Sequence, residues 1–271
     1  MLQPSTNKLA VRDFWNEASC GERLYLGGLT RQDYSRQAEQ RYELEPYILR
    51  LADFSAWKGC DVLEIGVGLG ADHQRFAEAG ATLHGIDLTP RAVDHTQRRL
   101  RAFDLESSLA IGDAEHLAFL DGRFDLVYSW GVIHHSPDTA AAAREIHRVL
   151  KPGGMAKIMI YHTWSMVGIM LWVRYALLRA KPWRSLRSIY SEHLESPGTK
   201  AYSRRQAREL FKDFRSVSIE VVLSHGDLLS SGAGQRHQGT ALSLARRIWP
   251  RPLIKTLLPG CGLFMLITAQ K

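Results

Sequence analysis

Val62-Leu63-Glu64-Ile65-Gly66-Val67-Gly68-Leu69-Gly70-Ala71 is the stretch that decides the fold. An apolar run suited to a buried strand ends in three glycines at alternate positions, and a helical pattern begins at Ala71. A strand that stops in such a turn brings backbone N–H groups and a helix N-terminus close to a ligand. Glycine is needed there because a Cβ would block the approach.

The turn alone does not choose its ligand. Gly66-x-Gly68-x-x-Ala71 also satisfies the dinucleotide fingerprint with alanine in third place. Three further features then follow in order. Thr82-Leu83-His84-Gly85-Ile86-Asp87 reads as a second strand ending in an acid, 21 residues beyond Gly66. That distance fits one helix and one returning strand, and its carboxylate can accept two hydrogen bonds from a ribose diol. Ile111-Gly112-Asp113-Ala114-Glu115 closes a third short apolar run. Asp113 there can read an adenine edge or cap a following helix, and both readings stay open. Arg123-Phe124-Asp125-Leu126-Val127-Tyr128-Ser129-Trp130-Gly131-Val132-Ile133-His134-His135 reads as a fourth strand running into a histidine pair. A helix over about 139–150 follows; Leu150-Lys151-Pro152-Gly153-Gly154 stops it and leads into a fifth strand over 155–161.

In this order the features resemble the class I S-adenosylmethionine-dependent methyltransferases, closest to the ubiquinone/menaquinone-biosynthesis-like small-molecule group. The resemblance covers about residues 58–162, with a weaker echo at the C-terminus. A nicotinamide dehydrogenase would share only the first two features. The resemblance implies an α/β, Rossmann-like, doubly wound and mostly parallel seven-stranded sheet of order 3-2-1-4-5-7-6. Its last strand, over 262–269, would be antiparallel. The implied cofactor is S-adenosyl-L-methionine. Gly66, Val67, Gly68 and Gly70 would shape the loop around its methionine part, and Glu64 would steady that loop or reach the amino group through water. Asp87 would bind the ribose hydroxyls and Leu88 pack on the adenine. Gly112, Asp113 and Ala114 would hold the adenine edge, and Ser129 and Trp130 would line the floor near the sulfonium. Candidate bases cluster at strand ends, at His134, His135, Tyr161 and His162, although such a histidine pair is often structural in the family.

Residues 1–57 read as a helical extension capping the cleft. Residues 58–271 form the methyltransferase domain, with insertions at about 162–202 and 225–260. Ser203 is placed as the N-cap of a helix over 202–214, and Val217, Ile219, Val221 and Leu223 alternate as a strand should. The apolar stretch Trp164 to Leu178 falls short of the ~20 residues a membrane span needs. Its helical spacing favours a lid packed on the core over a lipid-interface helix, and its greasy first half suits a pocket wall.

With 271 residues, 45% of them apolar, the chain can bury one large core. Cys20, Cys60 and Cys261 are widely spaced, suggest no disulfide framework, and fit a reducing cytoplasm. The formal charge is +7, and residues 174–255 hold 16 Lys and Arg against 6 Asp and Glu. The basic share thus sits in the insertions, where an anionic acceptor or membrane surface would be attracted. The expected acceptor is a small or lipid-like molecule, anionic or partly apolar, served by a monomer or homodimer. An RNA methyltransferase and a non-catalytic partner subunit are the competing readings, but scattered basic residues make a poor nucleic-acid signature. No metal is expected, because adjacent His134 and His135 are badly placed for joint ligation from one strand end. His193, Glu195, His225, Asp227 and His237 read as loop or surface residues. The loop 224–234 is either an anion-binding turn or an ordinary connection.

Overall fold

The computed structural model describes residues 6–230, 247 and 249–271. Gly232, Ala233, Gly234 and His237 therefore lie outside the described residues. The glycine stretch joins strand β1 (Asp61–Ile65) to helix α5 (Ala71–Glu78), preceded by four N-terminal helices: α1 (Thr6–Glu17), α2 (Glu22–Tyr25), α3 (Arg31–Leu44) and α4 (Tyr47–Ala52). Next come β2 (Thr82–Asp87), α6 (Pro90–Ala102), β3 (Ser108–Ile111), β4 (Phe124–Trp130), α7 (Thr139–Val149) and β5 (Leu150–Tyr161). The C-terminal third holds α8 (Met166–Tyr175), α9 (Leu186–His193), α10 (Arg204–Leu210), β6 (Ser216–Val222), α11 (Arg251–Leu257) and β7 (Phe264–Gln270).

The strands form one sheet of order β3-β2-β1-β4-β5-β7-β6. The first five run parallel, and β7 is antiparallel to both neighbours. The order and the antiparallel last strand are those the resemblance implies. Alternate residues of β1 face opposite sides of the sheet. Leu63 and Ile65 pack with Ile146 and Phe211 on one face, Val62 with Phe76 and Tyr128 on the other. Helices cover both faces, as right-handed crossovers between parallel strands require.

Local chemistry sets the helix ends. Thr30 and Asp33 form a capping box on α3, and Ser203 with Gln206 forms another on α10. Thr89 caps α6 ahead of Pro90. The Pro152-Gly153-Gly154 segment departs from expectation. It lies inside β5 rather than before it, because the pairing jumps from Phe124–Leu150 to Leu126–Met155 and the extra residues bulge out. No helix among the described residues is long and apolar enough to cross a membrane.

Two buried polar knots fasten the N-terminal helices over the C-terminal ends of the strands. Arg99 of α6 has no exposed surface. It donates to the Gln37 side chain of α3, to Gln74 of α5, and to the carbonyls of Tyr34 and Leu69. Arg41 of α3 grips Asp72 of α5 with two bonds, Nε to Oδ1 at 3.1 Å and Nη2 to Oδ2 at 2.7 Å. The hydroxyls of Tyr42 and Tyr128 donate to the same carboxylate. Burial opposes the Asp72 charge, but Arg41 and the hydroxyls outweigh it and hold the carboxyl below its usual range.

Candidate active site

A cavity of about 910 Å³ opens where β1, β2, β4 and β5 end, roofed by α1, α3 and α8. The first end is polar and shaped by the glycine turn. Gly66 takes a φ of +85°, and a Cβ there would lie 2.1 Å from Val132 Cγ2. Gly68 has a φ of +53°, yet a Cβ on it would meet nothing within 4 Å. Gly66 is thus needed by the protein's own packing, whereas Gly68 borders open space where a ligand can approach the backbone. Asp87 Oδ2 accepts the Gly68 N–H at 3.2 Å; Oδ1 accepts the Thr89 N–H and hydroxyl, both at 2.9 Å. Burial raises its carboxyl pKa, and these donors oppose the rise. Oδ1 is already filled by two donors, so a ribose hydroxyl would fall to Oδ2.

Glu64 is buried behind the turn, its Oε2 2.8 Å from His73 Nδ1. The Ser107 hydroxyl donates to the Leu83 carbonyl, so it accepts from His73 Nε2–H at 2.7 Å. Nδ1 then lacks a proton, and the bond to Glu64 needs a protonated carboxyl. Burial drives both groups that way, raising Glu64 well above the usual range and lowering His73 to about 3.

Asp113 caps no helix. Its Oδ1 accepts the Glu115 N–H at 2.9 Å within a tight turn, and Oδ2 lies 2.6 Å from Lys8 Nζ of α1. Lys8 also pairs with Glu115, whose Oε1 takes the Asp138 N–H at 2.8 Å. This buried lysine pins α1 over the far end of the cleft.

The opposite end is apolar. Trp130 and Met159, with Tyr161 and Phe264, form its floor, while α8 contributes Val167, Met170 and Leu171 as a wall. Trp130 stacks on Tyr47 with centroids 5.8 Å apart. The α8 segment is therefore a pocket wall as well as a lid. Glu45, at the C-cap of α3, projects into this region. Burial pushes its carboxyl up to about 7 against the pull of Arg41, whose Nη1 lies 3.4 Å away. His225 Nδ1 is 4.0 Å from Glu45, and Glu195 accepts the Tyr161 hydroxyl at 2.7 Å.

Of the residues singled out in the sequence, Glu64, Gly66, Val67, Gly68, Gly70, Asp87, Leu88, Gly112, Asp113, Ala114, Trp130, His135 and Tyr161 line the cavity, as do Glu195 and His225, which read in the sequence as loop or surface residues. Ser129, His134 and His162 do not. The Ser129 hydroxyl donates to the Ile65 carbonyl, and His162 Nδ1 sits 3.1 Å from the Gly262 carbonyl. Asp227 is a structural knot, accepting N–H groups from Val167, Ser224 and Leu263. His193 stacks on Tyr175. Lys8, Arg41 and Glu45 carried no sequence signal.

Residues 63–158 match the family model described as a methyltransferase domain. With the sheet order and the glycine-turn cleft, this defines a class I S-adenosylmethionine-dependent methyltransferase domain. The 2-methyl-6-phytyl-1,4-hydroquinone methyltransferase of Synechocystis is 36% identical over 108 residues, 40% of this chain and 33% of the relative. The ubiquinone biosynthesis O-methyltransferase of Pseudomonas aeruginosa is 38% identical over 103 residues, 35% of this chain and 42% of the relative. The chain thus spans less than half the length of these curated relatives. Among solved structures, a Haemonchus contortus phosphoethanolamine N-methyltransferase 2 in complex with S-adenosyl-L-methionine superposes with a TM-score of 0.59 at 19% identity. The match covers 96% of this chain and 60% of that one, and it shows the shared fold.

Asp87→Ala is expected to weaken S-adenosylhomocysteine binding by about 1–3 kcal/mol, the cost of hydrogen bonds to a charged group. Calorimetric titration measures it, and unchanged affinity would place the ribose elsewhere.

Proposed function

We propose that the whole chain is a methyltransferase acting on an apolar, lipid-like small molecule that carries an ionisable hydroxyl or amine. The observation that carries this reading is the two-ended cavity. One end offers the glycine turn, Asp87 and Asp113; the other offers aromatic and aliphatic walls around the Glu45 carboxyl, pushed up to about 7. A hydroquinone with an apolar tail, of the kind named for the Synechocystis relative, suits the apolar end. The roof of α1, α3 and α8 disfavours a folded RNA as acceptor.

Asp87 would hold the cofactor's sugar, Asp113 and Ala114 its adenine, and Trp130 the floor beside its sulfur. The bound cofactor supplies an electrophilic sulfonium methyl. The chain's own tasks are then to align the acceptor for in-line displacement, exclude water with the apolar walls, and take a proton. Glu45 is placed for the last task. Around α8 and beyond it, Trp164, Leu178 and Trp183 stand 63%, 76% and 77% exposed, near Arg174, Arg179 and Lys181 in the chain. This mix of aromatic and basic groups supports uptake of the acceptor from an anionic lipid surface.

The test uses methyl-labelled S-adenosylmethionine with vesicles carrying a prenylated hydroquinone, with total RNA as the competing acceptor. Label is expected in the lipid fraction, more so when the vesicles contain phosphatidylglycerol. Label in RNA, or in neither fraction, would overturn the proposal.

A further inference from the structure

His134 has no exposed surface, and neither of its ring nitrogens has a hydrogen-bond partner among the described residues. Leaving a buried polar group unsatisfied costs about 1–3 kcal/mol, and native interiors seldom do so without an ion or water to explain it. Its surroundings point to an ion. The His134 and His135 rings lie 4.2 Å apart, centroid to centroid, in the turn after β4. That turn breaks the strand alternation that would have thrown them to opposite sides. Glu195, from the segment after α9, completes the group, and ligand atoms of the three residues all lie within 4.8 Å of one another.

The supporting contacts have the pattern of a metal's outer shell. His135 Nδ1 lies 2.8 Å from Ser196 Oγ and 3.1 Å from Thr199 Oγ1, either of which can accept its proton. That tautomer leaves a lone pair on Nε2, which lies 3.3 Å from Glu195 Oε2 without a hydrogen bond to it. The Tyr161 hydroxyl orients the carboxylate through the same oxygen. Metal-bound histidines are held through their second nitrogen as His135 is here, and ligating carboxylates are themselves hydrogen-bonded; His134 has no such second-nitrogen partner among the described residues.

We propose that His134, His135 and Glu195 bind one divalent transition-metal ion of the zinc class. Two neutral imidazoles and one carboxylate are a donor set that suits such ions and leaves coordination positions open. Bond lengths of about 2.0–2.2 Å require the three groups to draw together on binding. His135 and Glu195 line the acceptor end, so the open positions face the cavity. A divalent ion on one carboxylate leaves a net positive charge there. An acceptor oxygen would coordinate to it and lose its proton more readily. That use rests on the methyltransferase reading; the binding of the ion does not.

The test takes tag-free, chelator-stripped full chain and titrates it with zinc chloride by calorimetry, with cobalt(II) absorption as a spectroscopic readout. One zinc per chain is expected. Glu195→Gln keeps the Tyr161 contact, and His134→Phe keeps the ring; each should weaken zinc at least about tenfold. S-adenosylhomocysteine affinity should be unchanged in both variants. Protein that binds S-adenosylhomocysteine but takes up no stoichiometric zinc would overturn the site, as would uptake unaltered by both substitutions. Uptake of zinc without S-adenosylhomocysteine binding would sustain this site and overturn the cofactor reading instead.

Discussion

Replacing Glu45 with glutamine is expected to lower kcat about 10²–10⁴-fold, the usual loss when a positioned general base is removed. S-adenosylhomocysteine affinity should stay unchanged, since Glu45 faces the apolar end rather than the glycine turn. Burial holds the carboxyl at about 7, so it is half ionised near neutrality. Wild-type kcat should therefore rise with pH and level off above that value, and the rise should vanish in the variant. Stability should move the other way. A carboxyl whose folded pKa lies above its unfolded value contributes its stability at low pH and loses it as pH climbs through the folded value. Each tenfold change in proton affinity is worth roughly 1.4 kcal/mol, so the loss at high pH approaches about 3 kcal/mol. Glu45→Gln should thus melt higher than wild type at about pH 8 and no higher at about pH 5. A variant with wild-type kcat, or with the same pH limb, would remove Glu45 from the chemistry.

Replacing Arg41 with methionine should cost about 3–5 kcal/mol of folding stability, the range for stripping one partner from a buried ion pair. Asp72 would keep its two tyrosine hydroxyls but lose the bidentate cation that offsets its burial. The same change should loosen α3 from α5 and so weaken the roof of the cavity. Urea unfolding monitored by circular dichroism measures it. A loss below about 1 kcal/mol would mean that Tyr42 and Tyr128 alone carry the charge.

These two residues also mark what was legible in the sequence. Gly66 and Asp87 could be read because their neighbours in the chain define their setting: a strand, a turn and a helix start. Arg41 and Glu45 could not. Their roles arise when α3 lies across α5 and the strand ends, a contact no local period encodes. Lys8 meets Asp113 across 105 residues for the same reason.

At the strand ends the sequence pointed to both members of each neighbouring pair, and one member of each lines the cavity. Trp130 faces the cavity, whereas Ser129 turns to Ile65; Tyr161 lines the floor, whereas His162 turns to Gly262. Successive side chains of a strand point to opposite faces, and only the packed sheet decides which face meets the cleft. The histidine pair escapes this rule because it follows the strand in a turn. In the sequence, adjacent positions at a strand end read as poor for joint ligation; in the turn the two rings lie 4.2 Å apart.

The central claim is that S-adenosylmethionine docks at the glycine turn with its sugar on Asp87. A crystal structure with S-adenosylhomocysteine bound tests it most directly. Ribose hydroxyls are expected on the Asp87 carboxylate, adenine beside Asp113 and Ala114, and sulfur toward Trp130. A cleft that stays empty at saturating ligand, or a sugar held away from Asp87, would contradict it.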